Sequence, residues 1–260
     1  MGNGLVEIQR VNAIANVILD SPATRNALSD DLLDDLIDAL QTVGDDDSVR
    51  VIVLRSSHER VFSAGGDLKG FASSQSLMNK HRGLDRFPRL YRLIGAIGKP
   101  VVCAANGDTL AGAFGLALAC DLIVAKDGAR FGCPEINVGV FPFMISALIY
   151  RNLPRMLANE LMMVGDLIDA HQARELGIVN KVAAADEFDA QVDELAGRLA
   201  DKSPLLMQFG KKAIDKTRDI PLDRALDVMR DQLALVFSTD DLREGVAAFT
   251  EKREPRWVGR

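Results

Sequence analysis

Two short runs of apolar and β-branched residues, VRVIVLRSS at 49–57 and KPVVCAANG at 99–107, constrain this chain more than any other feature. Runs of this length without polar alternation read as strands covered on both faces, which points to a parallel sheet. Parallel neighbours need crossover connections, and each run leads toward a glycine-containing turn: FSAGGDLK at 62–69 after the first, NGDTLAGAFGLA at 106–117 at the end of the second. A helical stretch then runs to near Asp121, and DLIVAKDGARFGCPE reads as two more short strands. Strand, turn and helix at this pace predict crossover-connected α/β units.

The flanks fit that scheme. Residues 5–19 hold two apolar runs broken by Arg10, Asn12 and Asn16, the pattern of a hairpin at a sheet edge. Ser29 is placed to cap a helix in which Leu32, Leu33, Leu36, Ile37 and Leu40 recur at helical spacing, with aspartates on the other side. From about 155 the pattern turns helical, with long segments at 186–200, 203–217, 221–237 and 240–253. A length of 260 residues suits one main α/β domain with a small appendage.

Composition narrows the function classes. A net charge of −6 argues against a general nucleic-acid binder, so an anionic ligand would need local basic residues. Cys103, Cys120 and Cys133 have no CxxC spacing and read as core residues of a reducing compartment. No secretory pattern opens the chain, and the apolar segment TLAGAFGLALAC is too short to span a bilayer before Asp121; a cytoplasmic protein without a membrane partner is expected. His58, His81 and His171 share no ligand spacing, which predicts no metal. Ser63 and Ser146 lack the setting of a serine nucleophile.

The two glycine turns carry the chemistry. A phosphate cradle would end in Lys and a hydroxyl, whereas FSAGGDLK places Asp67 after its glycines. Gly112 stands at a helix entry, where an amide N–H lacks a partner and the dipole favours negative charge. If Gly66 presents a second amide to the same point, the pair forms an oxyanion hole for a carbonyl turning into an enolate. Taken singly, each turn also reads as a plain strand-to-helix connection.

AGGDLK, then NGxxxxG, ACD and PExxxG, in that order, is similar to the enoyl-CoA hydratase/isomerase (crotonase) superfamily, and the likeness runs from TRNAL near residue 24 to EGVAAFTEKREP near the C-terminus. The resemblance implies an α/β fold of the crotonase type, a spiral of ββα units over 1–200 with a C-terminal helical trimerisation region over 201–260. It further implies a homotrimer or a dimer of trimers, and an acyl-CoA thioester substrate whose coenzyme A leaves no need for a separate cofactor. By the same resemblance, Gly66 and Gly112 supply the oxyanion amides and Glu135, in GCPEINVG, is the acid and base. Ala64 and Asp67 line the adenine end of coenzyme A, Arg60 and Lys69 approach its phosphates, and Phe249 and Lys252 reach a nucleotide in a neighbouring subunit. Read from the residues alone, Arg60, Lys69 and Lys252 are equally solvated charges, Phe249 packs a helix, and Glu135 is a solvated or helix-capping residue after Pro134.

The chain departs from the family pattern at several points. A second glutamate would fall at Gly115, which has no side chain. Reversible hydration of a 2-enoyl-CoA by Glu135 is the preferred reading, because the similar methylglutaconyl-CoA type hydratases also carry GxxxG here. A Δ3,Δ2-enoyl-CoA isomerase using one Glu and a non-catalytic acyl-CoA-binding protein stay open. Phe131, Ile136 and Val140 are expected to desolvate Glu135, and Phe143, Met144 and Ile145 to narrow the acyl pocket. Asp108 replaces the usual hydrophobic residue, and Ala111 a glycine.

Overall fold

The computed structural model describes residues 3–71, 74 and 76–260, the side chains of Lys69 and Phe71 excepted. The chain opens with the expected hairpin, β1 (Val6–Val11) antiparallel to β2 (Ile14–Leu19), followed by α1 (Asp30–Gly44). Ser29 caps α1 by accepting the Leu32 N–H at 3.3 Å, and Asp30 and Asp31 in the first turn suit the helix dipole. Leu32, Leu33, Leu36, Ile37 and Leu40 are buried. Asp35 is buried with them, against the expectation that the aspartates face outward, because its carboxylate accepts the Asn3 and Leu5 N–H groups.

Next come β3 (Val51–Ser56), β4 (Val61–Ser63), α2 (Leu68–Phe71), α3 (Leu77–Leu84), α4 (Arg86–Ala96), β5 (Val101–Ala105), β6 (Asp108–Leu110), α5 (Gly112–Ala119), β7 (Leu122–Lys126) and β8 (Arg130–Gly132). Then follow α6 (Phe143–Asn152), α7 (Arg155–Val164), β9 (Leu167–Asp169), α8 (Ala170–Glu175), β10 (Lys181–Ala183) and α9 (Phe188–Ala200). The chain ends with α10 (Pro204–Thr217), α11 (Leu222–Val236) and α12 (Asp240–Glu251).

Among the described residues the strands form two sheets, ordered β1-β2-β3-β5-β7-β10 and β4-β6-β8-β9. In each successive unit the first strand (β3, β5, β7) joins the larger sheet and the second (β4, β6, β8) joins the smaller one, so the chain winds between them as a spiral. The larger sheet is covered on both faces, as the β-branched runs predict. Ile52 and Leu54 lie in the main core with α1 and α5, while Val51, Val53, Val102 and Val124 pack on Phe188, Val192 and Ala196 of α9. Asp121 serves the backbone, accepting the Val101 N–H at 2.7 Å; its ion pair with Lys211 at 2.6 Å ties α10 to this sheet.

The junction from β6 to α5 is tight. Ala111 has φ 55° and ψ −129°, a conformation that glycine adopts freely and a side chain does not. Its N–H donates to the Gly132 carbonyl at 2.9 Å, which holds it against the end of β8. Releasing such a residue recovers about 1–3 kcal/mol, against about 0.4–1 kcal/mol lost because glycine makes the unfolded chain freer. Ala111→Gly is therefore expected to raise the urea midpoint, by roughly 1 kcal/mol of stability; a lower midpoint would mean that the lost methyl packing outweighs the strain.

Candidate active site

Three parallel strands of the smaller sheet bring the site together. Ser63 of β4 pairs with Thr109 of β6, and Thr109 pairs with Phe131 of β8. Gly66 and Gly112 each fall three residues after the paired Ser63 and Thr109, and Glu135 four after Phe131, so all three leave the same carboxyl edge. That edge is where open α/β sheets place ligands.

The first turn is clamped by the TRNAL segment. Arg25 and Asn26 both take left-handed conformations, which turns their main-chain groups toward β4. The buried Asn26 side chain accepts the Ser21 N–H and donates to Ser56 Oγ and the Phe62 carbonyl. The Ser63 hydroxyl donates to the Asn26 carbonyl at 2.6 Å, Ala64 N–H to Arg25, and Leu28 N–H to the Gly65 carbonyl. The two turns then touch. A Cβ on Gly65, at φ +87°, would lie 2.4 Å from the Ala111 Cβ and 2.6 Å from the Leu110 carbonyl oxygen, so only glycine permits this approach. Among the described residues, the Gly66 amide donates to no partner. Gly112 begins α5, so its amide is one of the donors that a helix start leaves unsatisfied.

Glu135 sits on a 3₁₀ turn, Pro134–Val138, which begins at a proline and ends at Gly139 in the left-handed region. Burial pushes its carboxyl up to about 7, against a smaller opposing pull from its own backbone N–H. Its Oε2 is buried and accepts no hydrogen bond from any described residue. Val140, expected to shield it, is 37% exposed. Tyr91 of α4, which the sequence reading passed over, lies close enough to feel the Glu135 charge, and its hydroxyl donates to the Gly112 carbonyl at 3.0 Å.

Gly115 lies one helical turn into α5 in a filled space. A Cβ there would come within 2.5 Å of Ile145 Cγ2 and 2.7 Å of the Tyr91 hydroxyl. The narrowing expected of the segment after Pro142 thus falls to the buried Ile145, whereas Phe143 is 73% exposed and lies against Phe141 with the rings tilted by 55° and 5.1 Å between centres. Asp108 is explained by Arg130 on the adjacent strand, which forks onto its carboxylate at 2.9 and 2.6 Å.

Other site candidates lie around this edge or away from it. Ala64 and Asp67 are half-buried on the turn that carries Gly66, and Asp67 leads into α2; the Lys69 side chain lies outside the described residues. Arg60 is exposed at the amino end of β4, the opposite end from Gly66, in a groove of about 470 Å³ that also takes in Arg55, His58, Asn106 and Lys126. Phe249 on α12 is 87% exposed, which removes helix packing as its role within the chain, and Lys252 is exposed as the left-handed cap of α12. Among the described residues, no helix is long and apolar enough to cross a membrane.

The chain is 34% identical to a 2,3-dehydroadipyl-CoA hydratase of Escherichia coli, over 97% of this chain and 98% of that protein. It is 32% identical to a crotonyl-CoA hydratase of Syntrophomonas wolfei, over 97% of each. A solved enoyl-CoA hydratase of Mycobacterium smegmatis superposes with a TM-score of 0.94 at 29% identity, over 98% of this chain and 99% of that one. These likenesses place the two-sheet spiral in the crotonase fold, and with the family model for enoyl-CoA hydratase/isomerase matching residues 9–260, the chain belongs to that family.

Proposed function

We propose that this protein adds water reversibly to the double bond of a short 2-enoyl-CoA. The thioester oxygen sits between the Gly66 and Gly112 amides, which gain strength as it becomes an enolate oxygen. One such donor is worth on the order of 3 kcal/mol of barrier. Glu135 removes a proton from water, the hydroxyl adds at Cβ, and the same carboxyl returns the proton to Cα. The observation that carries this reading is the half-buried Glu135, whose buried Oε2 is unengaged by described residues and whose carboxyl is pushed up to about 7 by burial, beyond the strand edge that holds both amides. A base of that pKa is about half ionised at neutral pH and binds a proton well enough to deliver it. The relatives named as hydratases support the same chemistry.

In this reading coenzyme A is the only nucleotide, carried by the substrate, and no separate cofactor takes part. Ala64 and Asp67 line its path, Lys69 and Arg60 supply positive charge for its phosphates, and Phe249 and Lys252 act on a neighbouring subunit's nucleotide. The protein works in the cytoplasm as a trimer or a dimer of trimers. Supporting the assembly, α11 buries none of its residues in the chain and exposes Leu222, Leu226 and Leu233 along one face, with Phe237 at its end. A Δ3,Δ2-isomerase is the second reading, favoured by one observation: the space beside Gly115 is filled, with no room for a second carboxyl from that position, and proton transfer between C2 and C4 needs only one.

Glu135→Gln is expected to lower kcat for crotonyl-CoA hydration by about 10³-fold, within the span of general acid–base catalysis; an undiminished rate would remove Glu135 from the mechanism. Because the base must be ionised, kcat/KM of the parent protein should rise with pH through about 7 and level off above it. The stability effect has the opposite sign. A carboxyl whose pKa is raised on folding binds more protons in the folded state, so stability falls as pH climbs from the unfolded value near 4.5 to about 7. Glu135→Gln should therefore withstand more urea than the parent at pH 8 and lose that advantage toward pH 5. Leu226→Asp is expected to shift the light-scattering mass from a multiple of three chains to one, whereas an unaltered assembly would place the interface elsewhere.

A further inference from the structure

Tyr91 stands where three parts of the site come together, and the reaction as described gives it no task. Its ring lies beside Phe87 of the same helix, 6.2 Å between centres, and its hydroxyl donates to the Gly112 carbonyl at 3.0 Å. The same oxygen would be 2.7 Å from a Cβ on Gly115, so it occupies the space that any side chain at 115 would need, with Ile145 closing the remainder. A tyrosine hydroxyl has one proton to give and two lone pairs to offer. With the proton engaged by Gly112, the oxygen presents only acceptor capacity, and among the described residues no donor reaches it. Burial and the Glu135 charge both hold the phenol protonated, so the donor bond to Gly112 persists and the group does not act as a base.

We propose that the Tyr91 hydroxyl, fixed as a donor to the Gly112 carbonyl, accepts one hydrogen of the water whose other proton Glu135 removes. This deepens the hydratase reading and rests on it. A water held by both hydrogens has its lone pair fixed toward the carbon, which gains the rate advantage of orientation. Glu135 holds one hydrogen and Tyr91 the other. The O–H bond to Glu135 breaks, the oxygen lone pair forms the C–O bond at Cβ, and the π pair moves to the thioester as an enolate. The proton on Glu135 then forms the Cα–H bond. Tyr91 exchanges no proton, and atoms and charge balance without a further reactant.

The test is Tyr91→Phe, which keeps the ring and removes the oxygen, assayed two ways on the purified protein. Hydration of crotonyl-CoA needs the held water; exchange of the Cα proton of butyryl-CoA in D2O needs Glu135 and the two amides but no nucleophile. The expected result is a fall in hydration kcat of about 100-fold, the scale of misplacing a reacting group by about 1 Å, with KM for crotonyl-CoA and the exchange rate retained. Retained exchange also shows that the variant has folded around an intact site. Hydration at the parent rate, or hydration and exchange falling together, would overturn the proposal, the latter because Tyr91 would then act only by supporting α5. A parent protein that exchanges the Cα proton but adds no water would sink the hydratase reading itself, and the role of Tyr91 with it.

Discussion

The parallel pairing of β4, β6 and β8 is the constraint on which the rest of the molecule depends. Backbone hydrogen bonds between neighbouring strands fix relative position along the chain to one residue, since a slip of one would turn every side chain to the other face. The pairs Ser63 with Thr109 and Thr109 with Phe131 therefore set the elements that follow each strand in step. Two main-chain amides and one carboxyl, far apart in sequence, leave a single edge within a few residues of matched positions. The larger sheet and the helices on its two faces hold the spiral that delivers those three strands.

What the strands bring together, local contacts hold in place. Asn26 and the left-handed pair Arg25–Asn26 use side-chain and main-chain groups to fasten the first turn, and the bare Gly65 lets the second turn lie against it. Ala111 accepts a strained conformation at that contact. Glu135 carries a related cost, since a carboxyl raised to about 7 is disfavoured in its charged form by the fold around it. Strain and desolvation thus lie at the same edge, where a folded protein tolerates them because stability from the core offsets them.

Much of this was legible in the sequence, and the gaps have physical causes. The hairpin, the Ser29 cap, and β3 and β5 announced themselves through apolar runs and a capping side chain, signals local to a few residues. Strands β4, β6, β9 and β10 are three residues each, too short for alternation to register, so β6 hid inside what read as a glycine turn. Glu135 emerged only through its place in an ordered set of motifs, and its surroundings were read in part: Phe131 is buried, but Val140 is exposed and Tyr91 is near. No local pattern could have found Tyr91, because its contact with Gly112 spans 21 residues and depends on how α4 packs on α5. The absence of a side chain at Gly115 was plain in the sequence; the filling of that space by Tyr91 and Ile145 is a fact of packing.

A crystal structure with a bound acyl-CoA would test the central claim most directly. The register of the three strands predicts a thioester oxygen within about 2.7–3.1 Å of both the Gly66 and Gly112 nitrogens, with the Glu135 carboxyl facing the α and β carbons. A thioester bound with its oxygen beyond hydrogen-bond reach of either nitrogen, or with Glu135 turned away from those carbons, would contradict it.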